Sequence, residues 1–180
     1  GDTVYYSLTN NGTDWSTEKP MFTNVTATTI VYVKVTNDNY TDRTGTGTVT
    51  ITPAPVTIVV DDKSKVYGMA DPAFTGTVNG LVNEVDLGTV SYVRTNTYEN
   101  VGVYTDVLDA TYTSNTNYTV TVNKGNFEIT PATGEALEIT SYSGIYDGAA
   151  HSIEVVAASL VDGDTVYYSL TNNGTDWSTE

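Results

Sequence analysis

The first eighteen residues of the chain, GDTVYYSLTNNGTDWSTE, occur again without a single change as its last eighteen residues. The two copies, 1–18 and 163–180, lie 162 positions apart (163 − 1). Unrelated segments do not share eighteen consecutive identities, and self-similarity at a long fixed spacing is the signature of a repeat architecture. We therefore predict a tandem array with a period of 162 residues, of which this chain holds one period and an overlap.

A second internal similarity divides the period. The segments VTITPAP at 49–55 and FEITPAT at 127–133 both alternate and then stop at Ile-Thr-Pro-Ala. Proline cannot donate a hydrogen bond to a neighbouring strand, so it marks a strand end or an edge. We place module boundaries at Pro53 and Pro131. They predict one complete module at 54–131 and a second module whose front part is 132–180 and whose back part is 1–53.

Apolar residues alternate with polar ones through both modules, and turn residues separate the runs. Period-2 alternation rich in Val, Tyr and Thr is typical of half-buried strands, and Asn-Gly between two such runs favours a hairpin. The sequence therefore predicts an all-β fold of small sandwich or barrel modules. The alternating runs are Val31-Val33-Val35, Val56-Ile58-Val60, Phe74-Gly76-Val78, Tyr118-Val120-Val122, Phe127-Ile129 and Ile145-Tyr146, and the Asn-Gly turns are at 11–12, 79–80 and 173–174.

The divided module raises a physical problem, because 1–53 lacks the strands that 132–162 would supply and an open sheet edge attracts other strands. Either the array continues in both directions, or separate molecules join head to tail. In the second arrangement, 163–180 of one molecule competes with 1–18 of the next for one place. We therefore expect a continuous array of elongated form.

The charge balance disfavours two classes of partner. Seven Lys and Arg against 22 Asp and Glu give a net charge of −15. Such a surface repels phosphate backbones and anionic lipid, so we expect no nucleic-acid partner and no membrane insertion in this segment. Cysteine is absent, which excludes disulfides, thiolate nucleophiles and zinc–thiolate sites.

Candidate catalytic residues are few. His151 is the only histidine, and its neighbour Ser152 would point to the opposite face of a strand. The carboxylates of Asp61-Asp62 are adjacent, whereas glycoside hydrolysis needs two carboxyl groups about 5–10 Å apart across a cleft. We interpret His151 as a strand-surface residue and the Asp pair as a solvated turn. We predict no catalytic residue, no cofactor and no enzyme activity.

Two stretches offer clustered oxygen ligands, 37–42 (NDNYTD) and Asp162-Gly163-Asp164. Neither has the ligand spacing of a calcium loop, and Asp and Asn favour turns through local hydrogen bonds. We interpret both as turns and predict no metal site, with a calcium ion between modules as the weaker hypothesis.

Three other features leave alternatives open. Lys34 lies in the middle of a strand, where a buried Lys could form an isopeptide bond with Asn, although an outward position beside Tyr32 is the expected one. Asn-x-Thr acceptors for glycosylation begin at Asn11, Asn24, Asn39, Asn117 and Asn173. A sugar-stacking platform would consist of Tyr5, Tyr6, Trp15 and Tyr32, whereas the simpler interpretation is cross-strand packing of aromatic rings.

One long stretch resembles a known family. The segments VTIVVDDKSKVYGMADPAFTGTVNGLVNEVD, ENVGVY and NYTVTVNKGNFEITP, in this order, are similar to the MBG-type domain with its Tyr-Gly signature over about 55–131. The segments IYDGAAHSIEV, DTVYYSLTNNGTDWS and IVYVKVTNDNYTDRTGTGTVTITPA resemble an Ig-like repeat found beside it. The resemblance implies an all-β fold in large adhesin-like bacterial surface proteins, without catalytic residues. Tyr67-Gly68 is then a fold signature.

The expected function is structural. We expect an extracellular, cell-surface stalk or fibre in which each repeat is a rigid spacer and its partners are neighbouring repeats. The alternative is an adhesive module that binds a glycan or a host protein through many weak copies. No ligand-binding residue is assigned for that alternative.

Overall fold

The computed structural model describes residues 1–179, so that Glu180, the last residue of the second eighteen-residue copy, lies outside the described residues. The predicted all-β class is confirmed: the described chain forms twelve strands and one short 3₁₀ helix, Ala157–Ser159. It divides into two units, Gly1–Thr130 and Pro131–Glu180. Among the described residues, no helix has the length and apolar character needed to cross a bilayer.

The first three strands form an antiparallel sheet in the order β1-β2-β3, with β1 at Thr3–Ser7, β2 at Thr26–Asn37 and β3 at Tyr40–Ile51. In this register Tyr6 lies opposite Val33 and Val4 opposite Val35. The predicted long strand with Val31, Val33 and Val35 on one face is therefore confirmed as β2. Because side chains alternate, Tyr6 shares that face with the three valines.

The valine-bearing face of this sheet is uncovered on the β3 side. Gly45 lies opposite Val33, and Gly47 lies opposite Val31. A Cβ atom added at either glycine would have no atom within 4 Å. The face is therefore open beside Val31 and Val33, its valines are only half-buried, and Arg43 lies opposite Val35 at one end of it.

Seven strands form the remainder of the first unit and belong to two sheets. One sheet has the order β5-β10-β8-β7, and the other has the order β6-β4-β9. Their bounds are Ala54–Val60 (β4), Lys63–Val66 (β5), Gly76–Asn79 (β6), Ser91–Arg94 (β7), Gly102–Thr111 (β8), Tyr118–Asn123 (β9) and Gly125–Thr130 (β10). We call residues 54–130 the central module.

Both sheets of the central module contribute to one apolar interior. Tyr92, Ala110 and Val122 pack against both groups of buried side chains, so the two groups are continuous. Each fully buried aliphatic or aromatic side chain stabilises the fold by about 1.5–3 kcal/mol relative to exposure. The buried side chains are Val56, Ile58, Val60, Leu87, Leu108, Tyr118, Phe127 and Ile129.

The first and last stretches of the central module run side by side in the same direction. β4 pairs with β9 in parallel from Ala54 opposite Tyr118, and β5 pairs with β10 in parallel up to Val66 opposite Thr130. Each stretch advances twelve residues (66 − 54 and 130 − 118), or at most about 40 Å of extended strand. The two stretches therefore stay side by side and run in the same direction on both sides of the corner at 61–62.

The second unit contains much less regular structure. Its only strands among the described residues are β11 (Ile139–Thr140) and β12 (Glu154–Val155), which pair antiparallel. The strand expected at Ile145-Tyr146 is wrong, because residues 141–153 contain no strand and these two side chains are 92% and 95% exposed. A β-branched or aromatic pair becomes a strand only where a neighbouring strand accepts its hydrogen bonds and covers a face.

Candidate functional site

The two copies of the eighteen-residue sequence form the same local hairpin. In the first copy, Tyr6 and Ser16 exchange backbone hydrogen bonds, and Ser7 Oγ donates to Asp14 Oδ1 while accepting from Asn10 N. In the second copy, Tyr168 and Ser178 exchange the same bonds, and Ser169 and Asp176 repeat the side-chain contact. The backbone agrees too, with φ of 51° at Asn10 and 49° at Asn172. Local sequence alone therefore specifies this turn.

The surroundings of the two copies differ. Strand β1 of the first copy pairs with β2 over five residues, whereas 165–167 of the second copy has no strand assignment. The exposed fraction of Leu8 is 46%, and that of its counterpart Leu170 is 102%. The second copy therefore has the hairpin but lacks the sheet that the first copy joins.

Beside the second hairpin lies an open apolar groove of about 930 Å³, which we call the second-unit groove. All of its lining residues belong to the second unit. They include Leu137, Ile139, Ile153, Val155, Tyr168 and Trp177. Several of these apolar side chains are about half exposed, which is the state of a core with one side missing.

The central module holds a cluster of four charges at the edge of its core. Lys65 Nζ lies 2.7 Å from Asp71 Oδ1 and also contacts Glu99. One guanidinium nitrogen of Arg94 lies 3.1 Å from Asp71 and 3.0 Å from Glu99. The side chains of Lys65 and Arg94 are each only 5% exposed, and Arg94 lies over the ring of Phe127 at 4.5 Å. We call these four residues the charge cluster.

Contacts within the charge cluster shift the pKa values of Asp71, Glu99 and Lys65 in the directions that stabilise the ion pairs. Burial alone would raise the pKa of Asp71, but hydrogen bonds from Lys65 and Arg94 outweigh burial and leave it below 3.8. The hydrogen bond from Lys65 lowers the pKa of Glu99 below 4.5. Hydrogen bonds to Asp71 and Glu99 raise the pKa of Lys65. These three shifts favour the charged forms of Asp71, Glu99 and Lys65.

The Tyr67-Gly68 pair forms the turn that leads to this cluster. The amide of Tyr67 donates to the carbonyl of Thr130, and the amide of Met69 donates to the carbonyl of Val66. Gly68 has φ of +81°, which a residue with a Cβ adopts only with strain. This turn ends β5 beside β10 and sends the chain back towards Asp71. Its observed role is structural.

The partners of His151 are an acid and a tyrosine. His151 Nε2 lies 2.9 Å from Asp147 and 3.1 Å from Tyr142 Oη, with its ring stacked on Tyr142. His151 is exposed, as expected, but it precedes β12 instead of lying in a strand. Ser152 is exposed and is not a partner in these contacts.

The adjacent carboxylates at the corner between β4 and β5 bind separate neighbours. The carboxylate of Asp61 accepts a hydrogen bond from Thr75 Oγ1, and the backbone N of Asp61 donates to the carbonyl of Thr75. Asp62 accepts from the amide of Asn126 at 2.6 Å. The pair therefore fixes two loops to the corner, which gives the predicted turn a structural role.

Both oxygen-rich stretches form turns, as predicted. Asn37 lies opposite Tyr40 at the β2–β3 hairpin, and its Oδ1 accepts from Asn39 N. In the other stretch, Asp164 accepts from Val161 N across a turn at Gly163. Within residues 1–179, no three His, Cys, Asp or Glu side chains lie close enough to hold a metal ion.

The predicted sugar platform is divided between two faces of the first sheet. Tyr5 pairs with Lys34 and Tyr6 with Val33, so Tyr6 points away from the face of Tyr5 and Tyr32. Lys34 Nζ lies 5.5 Å from the ring centre of Tyr5 and 5.2 Å from that of Trp15. Its ammonium group contacts aromatic rings, in agreement with the outward position beside Tyr32.

Two of the Asn-x-Thr acceptors join the first sheet to the central module. The side chain of Asn117 accepts from Val25 N at 2.8 Å and donates to Asn24 Oδ1 at 2.9 Å. The carbonyl of Asn117 accepts from Ala54 N, directly after β3 ends. Asn11 and Asn173 each accept from the Thr two residues later, within the hairpin turns. Asn39 lies in the β2–β3 turn.

Sequence reasoning did not find the charge cluster. Lys65 and Glu99 are 34 residues apart, and Asp71 and Arg94 are 23 apart. No local periodicity relates such residues. The only sequence signal is a Lys at a strand position that alternation places towards the core.

Comparison with known families identifies the middle of the chain. Residues 56–128 match the family described as MBG domain (YGX type). The comparisons with curated proteins and with solved structures found no significant match. The matched residues include the Tyr67-Gly68 turn, so the resemblance of this segment to the MBG domain of the YGX type is confirmed over 56–128.

Proposed function

We propose that this chain is a rigid spacer in a repeat array of tandem β-sandwich modules, within an extracellular stalk or fibre at a cell surface. The observation that carries the proposal is the parallel course of 54–66 and 118–130. It makes the chain enter the central module at one end and leave it at the other. Each such module adds length to an array instead of returning the chain to its start.

The same pairing is suited to bear tension. A pull between Ala54 and Thr130 draws β4 and β5 one way and β9 and β10 the other way. Because the paired strands are parallel neighbours, their hydrogen bonds are loaded together in shear. Rupture then requires many bonds to break at once, which suits a spacer held between two attachment points.

The connection between the first sheet and the central module supports the proposal as well. Only residues 52–53 separate β3 from β4, and one of them is Pro53. The hydrogen bonds of Asn117 with Asn24, Val25 and Ala54 hold the two parts together across this short link. A short, proline-containing and hydrogen-bonded link favours stiffness.

The family and the charge agree with this role. MBG domains occur in surface-associated repeat proteins. A net charge of −15 keeps neighbouring copies apart and soluble. We propose neighbouring repeats as the principal partners, with no catalytic activity and no cofactor.

Single-molecule stretching tests the spacer function. The full chain is pulled between cysteines introduced by Pro55→Cys and Thr130→Cys, and separately between Pro55→Cys and Asn79→Cys. Pro55 lies at the start of the first stretch and Thr130 at the end of the last stretch, so the first pull loads the parallel strands in shear. Asn79 lies opposite Thr57 on antiparallel β6, so the second pull opens the β4–β6 pair from one end.

We expect a clearly higher unfolding force in the first direction than in the second. Equal forces in both directions would contradict a tension-bearing design.

Small-angle scattering tests whether the array is elongated. In a chain with two or three periods, each added period should increase the maximum dimension of the particle by the same amount. Growth of a rounded particle instead of a rod would contradict the spacer.

The adhesive alternative rests on the half-buried aromatic residues beside Lys34 in the first sheet, and its test is separate. The full chain is applied to a glycan array, with Trp15→Ala as the comparison. The spacer function predicts no hits. Hits that disappear with Trp15→Ala would favour adhesion.

A further inference from the structure

The second eighteen-residue copy carries a strand whose partner is known from the first copy. In the first copy, Thr3–Ser7 pairs with Tyr32–Thr36 of β2. The identical residues 165–169 have no such neighbour. Identical sequences in the same local hairpin have the same pairing preference, so the structure itself shows which strand fits this edge and in which register.

The hydrogen-bonding sides of the second copy agree with this assignment. The amide and carbonyl of Tyr168 are both used by Ser178, as those of Tyr6 are used by Ser16. In an antiparallel strand, neighbouring residues direct these groups to alternate edges. The backbone groups of Thr165, Tyr167 and Ser169 therefore point to the edge that β2 occupies in the first copy.

The apolar surfaces agree as well. Tyr168 lines the second-unit groove and is the counterpart of Tyr6. Tyr6 shares a face with Val31, Val33 and Val35, and Gly45 and Gly47 leave that face open. A β2 strand paired with 165–169 in this register would place its valines on the groove side. The groove and the valine face are then the two halves of one core.

We propose that the second-unit groove binds the β2–β3 ribbon of a second copy of this sequence, by strand addition in the register Tyr168 opposite Val33. This interaction does not depend on the spacer function. We assign the ribbon to a second copy because residues 1–51 of that copy supply the β2 edge, the register and the valine face together.

Residues 165–169 of one molecule would replace residues 3–7 of another at the edge of β2. The free energy of this replacement is favourable but depends on protein concentration. In the molecule that supplies the ribbon, its own β1 already pairs with β2. Residues 165–169 of the other molecule must therefore displace residues 3–7 from that edge. The displaced and the displacing strands are identical, so their pairing energies cancel. Burial of the groove against the valine face remains as the driving force, opposed by the entropy of association.

Disulfide trapping tests the register in the full chain, which has no cysteine of its own. Because the backbone groups of Tyr6 are used by Ser16, Tyr6 and Val33 form a non-hydrogen-bonded pair. The Cα atoms of such pairs are about 4.5 Å apart, within the range for a disulfide. The test chain carries Val33→Cys and Tyr168→Cys. The control carries Thr48→Cys, on β3, with Tyr168→Cys.

We expect the Val33–Tyr168 variant to form covalent multimers under mild oxidation, and the Thr48 control to remain monomeric. Three results would overturn the proposal: no disulfide at any concentration, a disulfide within a single chain, or equal multimer formation by the control. Non-reducing electrophoresis and mass spectrometry distinguish them.

A matched pair of proline substitutions tests the competition between the two strands. Tyr5→Pro removes the amide that faces β2 in the first copy, and Tyr167→Pro makes the same change in the second copy. Loss of about 1.4 kcal/mol of pairing is a factor of ten in an equilibrium constant. We therefore expect Tyr5→Pro to lower the protein concentration at which multimers form by about tenfold, and Tyr167→Pro to raise it by about tenfold. Light scattering measures this concentration. Because the substitutions are locally identical, equal effects would reject the proposal.

Discussion

The first and second copies of GDTVYYSLTNNGTDWSTE have the same sequence and the same turn, but only the first belongs to a sheet. In both copies a Ser–Asp contact and a left-handed Asn fix the loop. Only β1 gains five paired residues and a neighbouring strand. The comparison separates what eighteen residues specify alone, which is the turn, from what needs a partner, which is the strand and the burial of its apolar face.

The largest test of this comparison contrasts the closed core with the exposed second unit. Ile58 is fully buried in the central module, whereas Ile145 is 92% exposed. Ile58→Ala should lower the free energy of unfolding by about 2–5 kcal/mol, since it removes packing and leaves a cavity. Ile145→Ala should change it by less than about 0.5 kcal/mol. Urea unfolding followed by circular dichroism measures both, and similar losses would contradict the described difference.

The next largest effect is the acid sensitivity of the charge cluster. The pKa values of Asp71 and Glu99 are lowered in the folded state, so the cluster contributes stability above their ordinary values of 3.8 and 4.5. This stability is lost as the pH falls through the lowered values. We expect unfolding free energy to drop in this window, and the drop to shrink in Asp71→Asn.

Thermal unfolding at a series of pH values shows whether the free energy of unfolding falls or rises on acidification. A central module that becomes more stable on acidification would show that Lys65 and Arg94 are not held by these carboxylates.

A smaller effect distinguishes the two hairpins directly. Ser7 is 2% exposed, and its hydroxyl oxygen accepts from Thr9 N and Asn10 N. Ser7→Ala leaves these donors without a partner, at a cost of about 1–2 kcal/mol. Ser169→Ala should cost about 0.5 kcal/mol, because water reaches its more exposed position. Hydrogen exchange of the Tyr6 and Tyr168 amides in dilute solution measures how much protection each substitution removes. Equal losses of protection in the two hairpins would contradict this expectation.

The smallest expected difference concerns the loop carboxylates. The hydrogen bond from Ser7 lowers the pKa of Asp14, and the bond from Ser169 lowers that of Asp176. We expect an NMR titration to find both below 3.8. If only Asp176 had its ordinary pKa, the turn would form only beside a sheet. That result would contradict the conclusion that the eighteen residues specify the turn alone.

The sequence predicts the fold best where alternation and burial coincide. Val56, Ile58 and Val60 alternate, and all three are buried in β4. Alternation at Tyr118 and Phe127 likewise locates β9 and β10. The family resemblance of the middle segment is confirmed over 56–128.

Features that depend on distant residues are not visible in this way. Leu87 is fully buried although it lies in a loop, because Val56, Ile58 and Tyr118 enclose it. The charge cluster needs four segments to meet. The strand predicted at Ile145-Tyr146 has suitable residues but no adjacent strand, and so does not form. The module boundaries at 53/54 and 131/132 and the Ig-like resemblance of the second module stay predictions.

The charge cluster has a consequence for how closely copies of the chain can approach one another. Lys65 and Arg94 are two of only seven cationic side chains, and both are almost completely enclosed. Few positive charges remain outside to offset the acidic exterior, so neighbouring copies of the chain should repel one another. Since the Debye length is about 10 Å at 0.1 M salt and about 30 Å at 0.01 M, ionic strength would set the distance over which this repulsion acts.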